Sequence, residues 1–132
     1  MGVWAVGSFE SDTALNWLEK IYTSGDFSLV HAALSGDLET AEIHVSREAI
    51  AAADLVACSL GKPPPEPRRK GLVEWTRAHS AEFSPSLVEL ARGAVATIKA
   101  KSQLRDSWKS HDGVIDPEWL DSISDLERRL QS

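Results

Sequence analysis

Cysteine is nearly absent from this chain of 132 residues, in which Cys58 is the only one. A single thiol cannot close an internal disulfide, so the sequence excludes a disulfide-stapled secreted scaffold and favours a reducing cytoplasm. The first eleven residues hold no basic cluster and no long apolar run, so they do not match a secretory signal peptide. With 42% hydrophobic and 26% charged residues, the composition is that of a soluble globular protein rather than a disordered, collagenous or membrane-spanning one.

The common signatures of catalysis and metal binding are missing as well. None of the four histidines (His31, His44, His79 and His111) has a second histidine three or four residues away, and one cysteine cannot supply a paired thiolate motif. There is no nucleophile elbow of the Gly-x-Ser-x-Gly type, no phosphate-binding loop and no dinucleotide fingerprint. We therefore expect no metal ion and no cofactor, assign no catalytic residue, and favour a protein that is not an enzyme.

The apolar residues recur at helical spacing, and no stretch shows the sustained alternation of a half-buried strand. This pattern predicts an all-α fold in which residues 1–132 form a single compact bundle of about six helices. The start signals are Ser11 or Asp12, then Asp26, Ser46, Ser84-Pro85 and Asp116-Pro117, and Gly25 and Gly61 are stop signals. A further helix is expected over about 71–80, and the helix after Ser84 either continues or restarts at Ser102.

Two segments do not fit a helix. Residues 62–70 contain four prolines followed by Arg68, Arg69 and Lys70, which predicts a stiff, proline-rich and basic connector. Three charges without an interleaved aromatic residue are more typical of a solvated loop than of a nucleic-acid site, since the net charge is −6. Residues 1–10 are expected to pack on the bundle as an irregular N-terminal clasp.

Asp54 is the only charged residue between Ala49 and Leu60. A helix that apolar is expected to be central, and a carboxylate inside it needs a partner or a proton. We expect a donor from the N-terminal segment, such as the Gly2 amine after removal of Met1. The alternative is that Asp54 faces a gap filled by solvent.

The N-terminal motif fixes two glycines and two tryptophans at set spacing, and its residues are Gly2, Trp4, Gly7, Phe9, Asp12, Ala14 and Trp17. Together with Ser24-Gly25-Asp26, the Glu48–Ala57 run and the segment from Ser102 to Trp119, this motif resembles the bacterial family called domain of unknown function 4259. The sequence departs from the family pattern at Asp54, where glutamate is expected, and at Ala5, where glycine is frequent. Since that family has no established activity, the resemblance implies a small bacterial helical domain and no catalytic residue. On physical grounds the motif is structural, because its glycines permit bends and its aromatic residues provide apolar anchors.

The charge is distributed unevenly along the chain. Residues 1–61 hold nine acidic and two basic residues, a net charge of −7. Such a segment repels nucleic acid and attracts cationic proteins. The alternative is that its charges lie on solvated helix faces and pair with one another. The leading hypothesis is therefore a non-enzymatic acidic protein that binds the basic surface of another protein, for example an immunity or antitoxin-like protein, with neither a nucleic acid nor a membrane as partner. The predicted binding residues are Asp26, Asp37, Glu39 and Glu42.

Two other classes of function are compatible with the sequence. One is a small-molecule-binding protein or an enzyme with a site between helices, around Trp4, Trp17, Asp54 and His79. The other is a structural subunit that self-associates through exposed tryptophans such as Trp108 or Trp119. The sequence does not predict the oligomeric state.

Overall fold

Seven α-helices make up most of the computed structural model, which describes residues 12–25, 28–62 and 69–131. No β-strand occurs in those ranges, so the all-α prediction is confirmed. The predicted N-terminal clasp lies outside the described residues, and so does most of the connector. The helices are α1 (Asp12–Ser24), α2 (Ser28–Leu34), α3 (Ile43–Ser59), α4 (Arg69–Ala78), α5 (Pro85–Ala100), α6 (Gln103–Ser107) and α7 (Pro117–Leu130), with a 3-10 turn over Ser80–Glu82.

Helix α3 is the centre of the bundle and packs against all six other helices. Every residue from Ala49 to Cys58 is buried, including Asp54. The small alanine side chains of α3 allow the surrounding helices to approach closely. The apolar stripes of those helices pack around α3 and complete the core.

Several helix ends form as the sequence signals predict. The Oγ of Ser84 accepts a hydrogen bond from the Leu87 amide at 3.2 Å, and Asp116 Oδ1 accepts one from the Glu118 amide at 2.8 Å. Ser102 caps α6 in the same way, with 2.9 Å between its Oγ and the Arg105 amide nitrogen. A new helix therefore begins after Ser102, and α5 does not continue through it. Gly25 ends α1 at a φ of +63°, a conformation that glycine adopts without strain.

The predicted start of the third helix is wrong. Helix α3 begins at Ile43 with Glu42 as its N-cap residue, so Ser46 lies inside the helix, and its buried Oγ has no hydrogen-bond partner among the described residues. Ile43 and Val45 pack against the core, and this burial extends the helix beyond the position that the capping preference of serine indicates. The basic connector is also shorter than predicted, because α4 already begins at Arg69.

Candidate functional site

Three of the four predicted binding acids lie on the connection between α2 and α3. Asp37, Glu39 and Glu42 are all exposed, and none of them forms an ion pair with another residue in the described ranges. Asp26, the fourth predicted acid, lies outside those ranges. The connection, residues 35–42, therefore presents three carboxylates within six positions to an approaching cation.

The fold of this connection directs the carboxylates outward. Leu38 is only 3% exposed, so it anchors the segment to the core while its neighbours Asp37 and Glu39 face solvent. The Thr40 amide donates to the Asp37 carbonyl at 3.3 Å, and Gln103 Nε2 from α6 donates to the Thr40 carbonyl at 3.3 Å. The acidic residues are thus held on an anchored turn.

An open cavity of about 380 Å³ separates this connection from α5. Its buried lining is apolar and includes Leu34, Leu38 and Ala94. Its exposed acidic residues are Asp37, Glu39 and Glu89. We call this cavity, between residues 34–39 and 89–97, the acidic groove. Glu89 was not among the predicted site residues, because nothing in the sequence places it beside Asp37.

The buried carboxylate of Asp54 is held by an arginine. Asp54 is 0% exposed, and Arg129 of α7 donates from Nη1 to its Oδ1 and from Nη2 to its Oδ2, the latter at 3.1 Å. Arg129 also donates from Nε to Asp125 Oδ2 at 2.8 Å and from Nη1 to the Lys62 carbonyl at 3.2 Å. The expected donor was the N-terminal segment, and Gly2 lies outside the described residues. Both carboxylate oxygens accept hydrogen bonds from Arg129, 75 positions further along the chain, so the buried carboxylate has a partner and does not face a gap filled by solvent.

The surroundings of Arg129 keep it charged. Burial alone would lower the pKa of the guanidinium, but the hydrogen bonds and charges of Asp54 and Asp125 outweigh burial and raise that pKa above its ordinary value. A bidentate arginine–carboxylate pair is a strong, geometrically specific contact. Asp54 therefore joins α3 to α7.

The residues of the predicted inter-helix site do not form an acid–base pair. Trp17 is 4% exposed and belongs to the core, Trp4 lies outside the described ranges, and Asp54 is paired as above. His79 stacks on Trp75 with ring centroids 4.2 Å apart, and its Nδ1 lies 2.9 Å from the Trp75 carbonyl oxygen. The carboxylate of Asp54 and the imidazole of His79 thus have different partners.

The expectation of exposed tryptophans near the C-terminus is wrong for Trp119. This side chain is 3% exposed because it belongs to the apolar stripe with which α7 faces the core, together with Ile123, Leu126 and Leu130. Trp108 is partly buried and packs against the same core. Trp119 accordingly cannot anchor a second copy of the chain.

The described residues contain neither a cluster of metal ligands nor a helix that could cross a membrane. No group of three or more histidine, cysteine, aspartate or glutamate side chains there could hold a metal ion. No helix in the described ranges has the length and apolarity required to span a bilayer.

The model of one protein family, Domain of unknown function (DUF4259), matches residues 2–122. No curated protein and no solved structure matches the chain. The match confirms the family that the N-terminal motif indicated. Asp54 lies within the matched range, whereas its partner Arg129 lies beyond it.

Proposed function

The chain belongs to the family of domain of unknown function 4259, which supplies no activity, and we propose from its surface that it is a non-enzymatic protein-binding domain. Its partner is a protein that presents a basic surface. In the most specific form of the proposal, the chain is an immunity or antitoxin-like protein of a bacterial cytoplasm, and its carboxylates cover the basic active site of a toxin.

One observation carries the proposal. Asp37, Glu39 and Glu42 are exposed, close together in sequence and not ion-paired within the described ranges. Carboxylates that already pair within their own chain attract a partner weakly, whereas unpaired ones steer a cationic partner and select against acidic ones. The anchored turn beneath them adds preorganisation, which lowers the entropic cost of binding.

The proposal is tested with a neutralised variant and a matched control. The site variant carries Asp37→Asn, Glu39→Gln and Glu42→Gln. The control carries Asp112→Asn, Glu118→Gln and Asp121→Asn, which removes the same charge from residues that are also exposed and not ion-paired within the described ranges. Each protein is immobilised and exposed to an extract of the native host, and the captured proteins are identified and quantified.

We expect the wild type and the control to capture the same basic protein, and the site variant to lose it. If the partner is a toxin, stoichiometric wild-type chain inhibits its activity and the site variant does so far less. Equal capture by both variants, or a captured partner with an acidic surface, would contradict the proposal.

A further inference from the structure

We propose that the acidic groove receives a lysine side chain of the partner protein, with the methylene stem against the apolar lining and the ammonium group among the carboxylates. This inference rests on the proposed function and specifies which chemical group of the basic partner is recognised.

The lining of the groove suits the stem of such a side chain. Leu34, Leu38 and Ala94 are buried residues whose side chains line a cavity of about 380 Å³. Long basic side chains lay their apolar stems along surfaces of this kind and keep the charged end in water or near carboxylates. A patch with charge alone would provide no such apolar lining.

The charges at the groove suit the ammonium end. Glu89 accepts a hydrogen bond from Arg92, so its charge is partly neutralised. Asp37 and Glu39 have no such cation within the described ranges. They lie on the wall of the groove that the α2–α3 connection forms, opposite α5. The ammonium group is therefore expected to bind beside Asp37 and Glu39 rather than beside α5.

Gly93 keeps the groove open. It lies in the interior of α5, where glycine is less favourable than alanine. A Cβ added at Gly93 would meet no atom within 4 Å, so no neighbouring helix requires a glycine at this position. Because Gly93 is exposed and lines the groove, the missing side chain leaves the backbone of α5 accessible to a partner.

The test uses two blocked peptides and the full chain labelled with ¹⁵N. The first peptide alternates glycine and lysine. In the second, ornithine replaces lysine, which keeps an amine that is protonated at neutral pH and shortens the stem by one methylene. We expect the lysine peptide to shift the amide signals of residues 34–39 and 89–97 and to bind about fourfold more tightly than the short-stem peptide, the ratio expected if about one extra methylene is buried.

A variant of the groove provides the second part of the test. Gly93→Leu fills the groove without changing its charge, and Ala96→Leu adds the same side chain at an exposed position of α5 that does not line the groove. Gly93→Leu should remove the preference for the lysine peptide, whereas Ala96→Leu should retain it. Helical circular dichroism confirms that both variants are folded.

The groove inference is overturned if the two peptides bind equally, if the shifts lie outside the groove, or if Gly93→Leu binds the lysine peptide as the wild type does. Its failure is distinguishable from that of the proposed function. If the peptide experiments fail but the Asp37, Glu39 and Glu42 variant still loses the host partner in the capture experiment, only the lysine-binding groove is refuted. The proposed function is then still supported.

Discussion

Replacing Arg129 by methionine should destabilise the fold far more than replacing its neighbour Arg128. The substitution keeps the apolar stem and removes the guanidinium that binds both oxygens of Asp54. Asp54 then remains as a fully buried carboxylate without its cation.

The expected loss is large because the charge that remains has no access to water. Removing one partner of a buried ion pair costs about 3–5 kcal/mol. The Arg129 side chain is 13% exposed, so the site is close to solvent on one side, and we expect a loss at the lower end of that range, about 3 kcal/mol. Arg128 is 72% exposed and pairs only with Asp125 among the described residues, so Arg128→Met should change the free energy of unfolding by less than about 0.5 kcal/mol.

The measurement is urea denaturation at neutral pH, followed by helical circular dichroism. The double variant Asp54→Leu with Arg129→Met should recover most of the loss, because the buried carboxylate is then gone as well. A loss below about 1 kcal/mol for Arg129→Met, or a double variant no more stable than the single one, would refute the assigned role of the pair.

Three further predictions concern other parts of the chain. Gly93→Ala should raise the free energy of unfolding by about 0.5–1 kcal/mol in urea denaturation, because alanine is the better helix former and its Cβ meets nothing within 4 Å. Tyr22 is the only tyrosine; although the residue is 40% exposed, its partial burial, with a smaller effect of Cys58, raises its pKa to about 12. Its tyrosinate absorbance should therefore appear near pH 12 in the folded protein. The free energy of unfolding should fall as the pH rises from about 10, since the phenol of the unfolded chain ionises first. A titration midpoint of the absorbance near pH 10, with the helices intact, would contradict this prediction. Deleting residues 123–132 should abolish cooperative unfolding, because it removes Arg129 and the buried Ile123, Leu126 and Leu130. A deletion variant that keeps a sharp unfolding transition would show that the contribution of these residues to stability is overstated.

The elements that the sequence predicted well are those fixed by local chemistry. Ser84-Pro85 and Asp116-Pro117 place a side-chain acceptor next to a proline, and both begin a helix in the structure. Gly25 ends a helix for an equally local reason. Ser46 was assigned wrongly because burial of Ile43 and Val45 outweighed its preference for a capping position.

The long-range contacts could not be predicted from one sequence. The high apolar content of α3 indicated that Asp54 is central, but its partner lies 75 positions away. The sequence signal for this pair is Arg129 itself, a basic residue next to Leu130 in the apolar stripe of α7 and four residues after Asp125. The acidic groove is a similar case, because only the packing of the α2–α3 connection beside α5 brings Glu89 to Asp37 and Glu39.

The most direct test of the proposed function is the dependence of the association rate constant on salt concentration, measured with the captured partner. For the wild type and for the Asp112, Glu118 and Asp121 control, the rate constant should fall steeply as salt is added, because unpaired charges steer the encounter. For the Asp37, Glu39 and Glu42 variant, it should be low and nearly independent of salt. A rate constant with the same salt dependence in all three proteins would contradict the claim that this connection is the binding surface.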